Sequence, residues 1–288
     1  MKENRIGITV GDVNITMLSQ GDCPPLTCSG PHVRFLDLRS EPDLLLKVRC
    51  CEADPTVASA GMVFNSGGPW KLYKAKERYI LSLSTPPDNP RPYLVAVLRT
   101  DFRSGDVFVQ PSQRRTVHAF PYPLDELLMV QLLSRGRGVI LHACGVVDEG
   151  KGILFCGVSG AGKSTVANIW KPTYATLLSD DRIIVRRMDG VFRMYGTPWH
   201  GDANVCDPGN APLEKVFFIV HADRNYAKPI SPIDAASKLL VRCFPPLWDK
   251  DGMEFVTNFL AEVAEEVPCY ELGFVPDQSV VEFVRSIE

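Results

Sequence analysis

GVSGAGKST, residues 157–165, fits the phosphate-binding pattern G-x-x-x-x-G-K-[ST], and its neighbours supply the context that this pattern needs. The apolar run GILFC before it, residues 152–156, predicts a strand, and KSTVANIW, residues 163–170, predicts a helix that ends at Pro172. Glycines let the backbone fold back on itself, so that successive N–H groups point at one anion, and the helix N-terminus adds partial positive charge. The stretch therefore predicts a P-loop.

Each residue of this loop is a candidate ligand of nucleotide phosphates: Gly157, Val158, Ser159, Gly160, Ala161, Gly162, Lys163, Ser164 and Thr165. Lys163 is expected to reach the β- and γ-phosphates, and the Ser164 hydroxyl to bind Mg²⁺. ATP and Mg²⁺ are therefore the expected cofactors. An ordinary tight turn into a helix is the alternative interpretation.

Composition limits the class of protein. Of the 288 residues, 45% are hydrophobic and 23% charged, which is typical of a folded globular protein with one large domain or two ordinary ones. Residues 1–110 carry 13 basic and 12 acidic side chains, and the rest carry 18 and 22. Neither part has the basic excess that binds a nucleic-acid backbone, so no nucleic-acid partner is expected.

The sequence also predicts a cytoplasmic protein without membrane association. No apolar run approaches the roughly 18 residues that cross a bilayer, and MKENRIGITVGDVNITML at the N-terminus lacks the apolar core of a signal peptide. The nine cysteines show no CxxC pair and no metal-ligand spacing with histidine, which indicates buried, reduced thiols.

Two domains are predicted, covering residues 1–110 and 111–288. The first is expected to be an antiparallel β domain that recognises substrate or regulates access to it, with strands at RIGITV, HVRFLDL, LLLKVRC, GMVFN, WKLYKA, RYILSLS, YLVAVLR and DVFVQ. The connection PSQRRTVHAFPYP opens the second, where strands alternate with helices at LDELLMVQLLSRG, KSTVANIW, SPIDAASKLLVRCF, DGMEFVTNFLAEVAEE and DQSVVEFVRSIE. The fold class is therefore an α/β P-loop domain preceded by a smaller β-rich domain.

Acidic residues follow the P-loop helix, in ATLLSDDRIIV. P-loop proteins need a carboxylate for the metal, and a hydroxyl acceptor needs a proton acceptor. Asp180 and Asp181 can serve one site only if the strand ends or bends between them, because neighbouring strand residues face opposite sides. A solvated strand end is the alternative. His142, in LHACGVV on the preceding strand, is either a core residue or a neighbour of the γ-phosphate.

These elements together resemble the catalytic core of the HPr kinase/phosphorylase family. In that family a histidine-bearing strand, a GxSGxGKS loop and an Asp-Asp pair occur in this order, and ATP-type phosphoenolpyruvate carboxykinases have a distantly similar core. The resemblance covers roughly residues 138–200. It implies an ATP- and Mg²⁺-dependent serine kinase, with Asp180 as the general base, Asp181 on the metal, Lys163 on the transferred group and His142 beside it.

Two features separate the chain from HPr kinases proper. Thr165 stands where they usually carry Glu, and YGTPWHGD, residues 195–202, stands in place of their Glu-Arg-Gly run. The sequence thus predicts a relative with a different acceptor, and the homo-oligomeric state stays open. His200 and Asp202 are further candidates for contacts with the acceptor or the metal; a structural turn over a packed Trp199 is the alternative.

Phosphoryl transfer to a serine or threonine hydroxyl of a protein or peptide is the first hypothesis for function. A kinase of a small hydroxylated metabolite and a nucleotide-binding regulatory protein without transfer activity are the alternatives. Retention of His142, Lys163, Ser164, Asp180 and Asp181 favours an enzyme, since a pure binding protein has no use for a general base.

Overall fold

The structure, a computed structural model, describes residues 4–52, 60–87, 89, 91–110, 115–158 and 160–287. The chain divides into two compact units, Met1–Asp125 and Glu126–Glu288. The sequence placed the boundary at residue 110, and residues 111–114 of its predicted connection lie outside the described residues. Val117 and His118 pair with Leu26 and Thr27 as short parallel strands, which ties the end of the connection to the first unit.

The first unit is built from strands. Numbered along the chain, they are β1 Arg5–Val10, β2 Val13–Ser19, β3 Leu26–Thr27, β4 Leu44–Arg49, β5 Gly61–Asn65, β6 Trp70–Ala75, β7 Arg78–Leu83, β8 Leu94–Arg99, β9 Ser104–Val109 and β10 Val117–His118. Eight of them form one sheet in the order β1-β2-β4-β9-β8-β7-β6-β5. The prediction of a purely antiparallel domain was wrong, because β4 pairs in parallel with both β2 and β9.

One local prediction in this unit is wrong, and one strand was missed. HVRFLDL does not form a strand, since Gly30–Phe35 is a 3₁₀ helix with a proline in its first turn. Strand β2, by contrast, was not predicted, although its residues are largely buried and pair with β1 in register from Arg5↔Leu18 to Val10↔Val13.

The cysteines of the first unit depart from the expected reduced state. Cys23 and Cys50 form a disulfide, while Cys28 and Cys51 are free. In the second unit, Cys144 and Cys156 are fully buried free thiols, as the sequence predicted, and burial raises the pKa of both.

The second unit alternates strands and helices. Its strands are β11 Val139–Asp148, β12 Lys151–Cys156, β13 Thr176–Ser179, β14 Arg182–Met188, β15 Val191–Tyr195, β16 Asn210–His221, β17 Tyr226–Pro229 and β18 Cys269–Phe274. The helices are α1 Leu124–Leu133, which begins at the end of the first unit, α2 Lys163–Trp170, α3 Pro232–Leu240, α4 Lys250–Glu266 and α5 Ser279–Ser286. The molecule is thus a mixed α/β protein.

Strand β12 lies inside the sheet of the second unit. It pairs antiparallel with β11 on one side and parallel with β16 on the other. Strands β11, β14, β15 and β16 continue the pairing, so that these five strands form a closed circuit, and β18 and β17 extend the sheet beyond β16. The loop after β12 therefore leaves a strand that is hydrogen-bonded on both edges.

Helices cover both faces of this sheet. One core contains Leu154 and Cys156 of β12 together with buried residues of α3 and α4, and the other contains Phe155 with buried residues of α2 and α5. Alternate residues of one strand enter opposite cores because strand side chains alternate. Burial of each large apolar side chain contributes about 1.5–3 kcal/mol, which fixes β12 and α2 on either side of the loop.

The predicted helix SPIDAASKLLVRCF ends earlier than expected. Ser231 caps its N-terminus by accepting a hydrogen bond from the Asp234 N–H, but the helix stops at Leu240. Phe244 precedes Pro245, and a residue before proline is disfavoured in helical conformation. Residues 242–244 instead pair with β11: the His142 N–H donates to the Arg242 carbonyl at 2.7 Å, and the Phe244 N–H donates to the Ile140 carbonyl at 3.0 Å.

Among the helices formed by the described residues, none is both long enough and apolar enough to span a membrane.

Candidate functional site

The loop between β12 and α2 has the backbone of an anion cradle. Gly162 is the N-cap of α2 in the left-handed region, with φ of 104°, and no side chain caps the helix. A Cβ on Gly157 would lie 2.7 Å from the Ala161 Cβ and 2.9 Å from the Ile219 Cγ1. Glycine is therefore required at both positions, for close packing at one and for backbone conformation at the other. The open helix N-terminus can accept a phosphate.

The remaining loop residues differ in exposure. Val158 and Thr165 are exposed, and Gly160 has φ of 79° with open space around its Cα. His221, at the end of β16, lies with its Nε2 3.3 Å from the Gly160 carbonyl oxygen. Ser159 was also predicted to contact phosphates, and it lies outside the described residues.

Lys163 lies inside the loop. Its side chain is only 7% exposed, and its Nζ donates to the carbonyl oxygens of Gly157 at 3.0 Å and Val158 at 3.1 Å. Burial, followed by the positive charge of Arg242, lowers the pKa of Lys163. Within the described part of the chain Lys163 forms no ion pair. A buried ammonium group without a carboxylate is costly unless an anion compensates it.

Ser164 and Asp180 are brought together as a pair. The Ser164 hydroxyl donates to Asp180 Oδ2 at 3.0 Å, the Ala203 N–H donates to the same oxygen at 2.8 Å, and the Gly201 N–H donates to Oδ1 at 2.9 Å. The Asp180 side chain is 1% exposed. A carboxylate that accepts three hydrogen bonds and is closed to solvent is held rigidly.

The strand ends at the two aspartates, which is the condition under which both could serve one site. Asp180 and Asp181 lie in the turn between β13 and β14. Ser179 holds this turn: its hydroxyl accepts from the N–H groups of Asp181 at 3.1 Å and Arg182 at 3.2 Å, and it donates to the Trp199 carbonyl at 2.7 Å. The side chain of Ser179 thus fixes where each carboxylate points.

Asp181 contacts His142 and Arg182. His142 Nδ1 lies 3.0 Å from Asp181 Oδ1 and 3.1 Å from the Asp181 carbonyl oxygen, and the Arg182 guanidinium forms an ion pair with the carboxylate. Arg182 also pairs with Glu126 at 3.2 Å. The sequence had assigned Asp181 to the metal and Asp180 to the base. Ser164, the other predicted metal ligand, is instead hydrogen-bonded to Asp180.

His142 is held as a neutral imidazole with a defined tautomer. Both atoms near its Nδ1 are pure acceptors, so Nδ1 carries the proton and Nε2 keeps a free lone pair. Burial lowers the pKa of His142 to about 4, and the positive charges of Lys163, Arg182 and Arg242 act in the same direction. The register that places Ala143 opposite Cys156 puts His142 beside the start of the P-loop.

Arg242 is a residue of this site that the sequence did not predict. It lies two residues beyond the end of α3 at Leu240, and its charge adds to the effect of burial in lowering the pKa of both His142 and Lys163. Its Nη1 donates to the Lys238 carbonyl at 2.8 Å, its Cζ lies 5.4 Å from the centre of the Phe218 ring, and its buried Nε has no hydrogen-bond partner within the described residues. The two prolines after Phe244 were the signal that the helix would end before this arginine.

The loop 195–202 contributes backbone groups to the site. Gly201 donates to Asp180, and a Cβ there would lie 2.8 Å from Asp180 Oδ2 and 3.5 Å from Ser164 Oγ. His200 is half-buried, with Nδ1 3.1 Å from the Gly201 carbonyl oxygen, and Asp202 is exposed. Trp199 is buried, as the structural-turn interpretation requires. The contacts thus place Gly201 against both Asp180 and Ser164.

Ser164 and Asp180 fit a magnesium ion that takes only some of its ligands from the protein. In the portion of the chain that the structure describes, no group of three or more His, Cys, Asp or Glu side chains could hold a metal ion. Mg²⁺ in phosphate-binding sites usually takes one or two protein oxygens, with phosphates and water completing its octahedron. Ser164 Oγ and Asp180 Oδ2 supply such a pair.

Comparison with known proteins corrects the predicted family. Residues 124–274 match the family model described as SynChlorMet cassette protein ScmC, and not an HPr kinase family. The resemblance to HPr kinase/phosphorylase was therefore wrong as an identification, although the three motifs that suggested it do converge in space. Among curated proteins, none matches this chain.

The matched region covers 151 of the 288 residues and contains the P-loop, both aspartates, His142 and Arg242. The chain belongs to the ScmC family of SynChlorMet cassette proteins.

Proposed function

We propose that this protein transfers a phosphoryl group from ATP, with Mg²⁺, to a serine or threonine hydroxyl of a protein or peptide. The observation that carries the proposal is the buried Lys163 ammonium at the uncapped N-terminus of α2, without a carboxylate partner among the described residues. A polyphosphate is the anion that a glycine-rich loop of this shape accepts. The proposed fold class is accordingly that of a P-loop kinase.

Charge stabilisation is assigned to two cations. Lys163 would leave its carbonyl partners for the β- and γ-phosphates, and Arg242 would direct its unpartnered Nε and adjacent donors at the transferred group. Phosphoryl transfer involves little covalent chemistry by the protein, so positioning and neutralisation of negative charge supply most of the acceleration. Ser164 and Asp180 would hold Mg²⁺, which would supply positive charge to offset that of the phosphates.

Proton acceptance is assigned to His142, with Asp181 as its orienting partner. The free lone pair on Nε2 can accept the hydroxyl proton of the acceptor, while Asp181 stabilises the imidazolium that forms. The low pKa of His142 in the nucleotide-free protein is compatible with proton acceptance in the complex. Two of its causes are the charges of Lys163 and Arg242, which bound phosphates would offset, so we expect the pKa to rise when nucleotide binds.

A polypeptide acceptor is favoured over a metabolite by the surface around Arg242. Val241 is 77% exposed and Leu247 is 63% exposed, and both flank the segment that pairs with β11 at His142. Exposed apolar side chains next to a reactive group are typical of a contact with another chain.

The nucleotide-binding alternative is favoured by one observation: three donors hold the Asp180 carboxylate, so its oxygens are already engaged in contacts within the protein. Incubation with γ-labelled ATP, Mg²⁺ and a lysate of the source organism separates these functions. Label in the macromolecular fraction that is absent with His142→Gln supports the proposal. Label confined to small molecules would indicate a metabolite kinase, and no label dependent on His142 would indicate a binding protein.

A further inference from the structure

The first unit contains a cavity that the P-loop chemistry does not use. Its volume is about 430 Å³, and it lies against strands β4, β7, β8 and β9. Ligand pockets typically measure roughly 300–1,000 Å³. Three basic side chains line it, Lys47, Arg78 and Arg99, and none of its lining residues belongs to the P-loop site.

Two of these cations face each other directly. Arg78 and Arg99 are register partners on the antiparallel strands β7 and β8, and both are exposed. Like charges at directly opposite positions destabilise a sheet. Arg99 Nε has a distant partner, Asp101 Oδ2 at 3.4 Å, whereas Arg78 forms no ion pair within the described residues. An anion between the two guanidinium groups would remove this repulsion.

The acidic residues in the cavity wall already have partners. Asp106 Oδ1 accepts from Arg49 Nε at 3.0 Å, and Glu77 Oε2 accepts from the Thr100 hydroxyl at 3.4 Å. Lys47 lies opposite Asp106 in the parallel pairing of β4 and β9 but forms no hydrogen bond or ion pair among the described residues. Lys47 and Arg78 are therefore available to a ligand, while Arg99 would share its charge with Asp101, 3.4 Å away.

We propose that this cavity binds an acidic peptide segment. Guanidinium groups bind carboxylates in bidentate geometry, so Arg78 and Arg99 suit neighbouring Asp or Glu side chains. Leu45 and Val97 also line the cavity and provide apolar contact for the aliphatic part of such a segment. The volume exceeds what one phosphate needs, and the mixed charged and apolar lining fits a peptide better than a free inorganic anion.

The test uses the full chain and a fluorescein-labelled peptide of sequence LEELEE, followed by fluorescence anisotropy at low salt. A peptide with Gln in place of Glu is the ligand control. The double variant Arg78→Ser/Arg99→Ser removes the cationic pair, and Lys71→Ser/Arg91→Ser removes two positive charges that do not line the cavity. Melting temperature is measured for each protein, and we expect the cavity variant to melt no lower than the wild type because the repulsion is relieved.

The proposal predicts that LEELEE binds, that its Gln analogue does not, and that the cavity variant loses about tenfold or more in affinity while the control variant stays within about twofold. Absence of LEELEE binding, or equal loss in both variants, would overturn it. Inorganic phosphate that binds the wild type as tightly as LEELEE and displaces it would reduce the cavity to a simple anion site, which also overturns the proposal.

Discussion

The Ser164 hydroxyl donates a hydrogen bond to Asp180 Oδ2 at 3.0 Å. This contact joins the first turn of α2 to the turn after β13, and it supports the proposal that Asp180 rather than Asp181 would hold the metal ion. Since the N–H groups of Gly201 and Ala203 hold the same carboxylate, the pair is preorganised, and its two oxygens can serve one cation without rearrangement of the backbone.

Asp180→Asn should raise the Mg²⁺ concentration needed for transfer by about tenfold or more, because a neutral amide replaces a charged ligand of the metal ion. The amide oxygen can still accept from one N–H, so the fold should persist. Transfer rate measured against Mg²⁺ concentration checks this. Asp181→Asn is the matched control: its Mg²⁺ dependence should resemble the wild type, while its pH profile changes because a neutral amide no longer stabilises the His142 imidazolium. A Mg²⁺ requirement that shifts only in Asp181→Asn would contradict the assignment.

Gly201→Ala should lower transfer without unfolding the protein. The added Cβ would lie 2.8 Å from Asp180 Oδ2 and 3.5 Å from Ser164 Oγ, so it must displace the Ser164 and Asp180 side chains that would hold the metal ion. Gly61→Ala is the control, since the nearest atom to its Cβ is 3.9 Å away. We expect a loss of about 10-fold to 100-fold in transfer rate for Gly201→Ala, as for displacement of groups that orient metal ligands. A Gly201→Ala protein with the wild-type rate and Mg²⁺ dependence would show that the loop does not position the pair.

Arg242→Gln should lower the rate of transfer by about 10²–10³-fold. This is the range expected when one hydrogen-bond donor that stabilises the negative charge of the transition state is removed. ATP affinity should fall much less, because Lys163 and the loop N–H groups still hold the phosphates. Arg193→Gln is a suitable control, since that half-buried arginine bonds Asn210 outside the site. Single-turnover rates and nucleotide dissociation constants separate the two effects, and an equal loss in both would assign Arg242 to ground-state binding instead.

Stability should depend on pH through His142. Its pKa in the folded protein, about 4, lies below its ordinary value, so the unfolded chain binds more protons between about pH 4 and 6.5. The free energy of unfolding should therefore rise with pH across this window. The contribution of His142 to stability should disappear as the pH falls through the same window. Urea unfolding of the wild type and His142→Gln at about pH 4.5 and 7 checks this. The variant should lose less stability on acidification; identical pH dependence in both proteins would mean that the folded-state pKa of His142 is not depressed.

Much of the second unit could be predicted from local signals. The loop GVSGAGKST lies between the expected strand and helix, and the helices at α1, α2, α4 and α5 occur where apolar periodicity placed them. Helix predictions from apolar periodicity succeed here because those segments bury one face against a sheet. Sequence also identified His142, Lys163, Ser164, Asp180 and Asp181, and all five lie in one region of the fold.

The features that could not be predicted from the sequence depend on contacts between segments that are distant in the chain. Arg242 reaches the site only because residues 242–244 bond to β11, a contact between segments about a hundred positions apart. The roles of Asp180 and Asp181 depend on which carboxylate the turn held by Ser179 directs at Ser164. The parallel pairing of β4 in the first unit is equally invisible to local periodicity.

Calorimetric titration of the full chain with ATP, with and without Mg²⁺, measures directly whether the loop after β12 binds a nucleotide. The wild type should bind ATP, and Mg²⁺ should tighten the binding through Ser164 and Asp180. Lys163→Ala should weaken binding by roughly 10-fold to 150-fold, the loss of about 1.5–3 kcal/mol expected for hydrogen bonds to a charged group. Lys151→Ala, which removes an exposed lysine from the start of β12, should bind as the wild type does. Wild-type protein that binds no ATP, or Lys163→Ala that binds it equally well, would contradict the account.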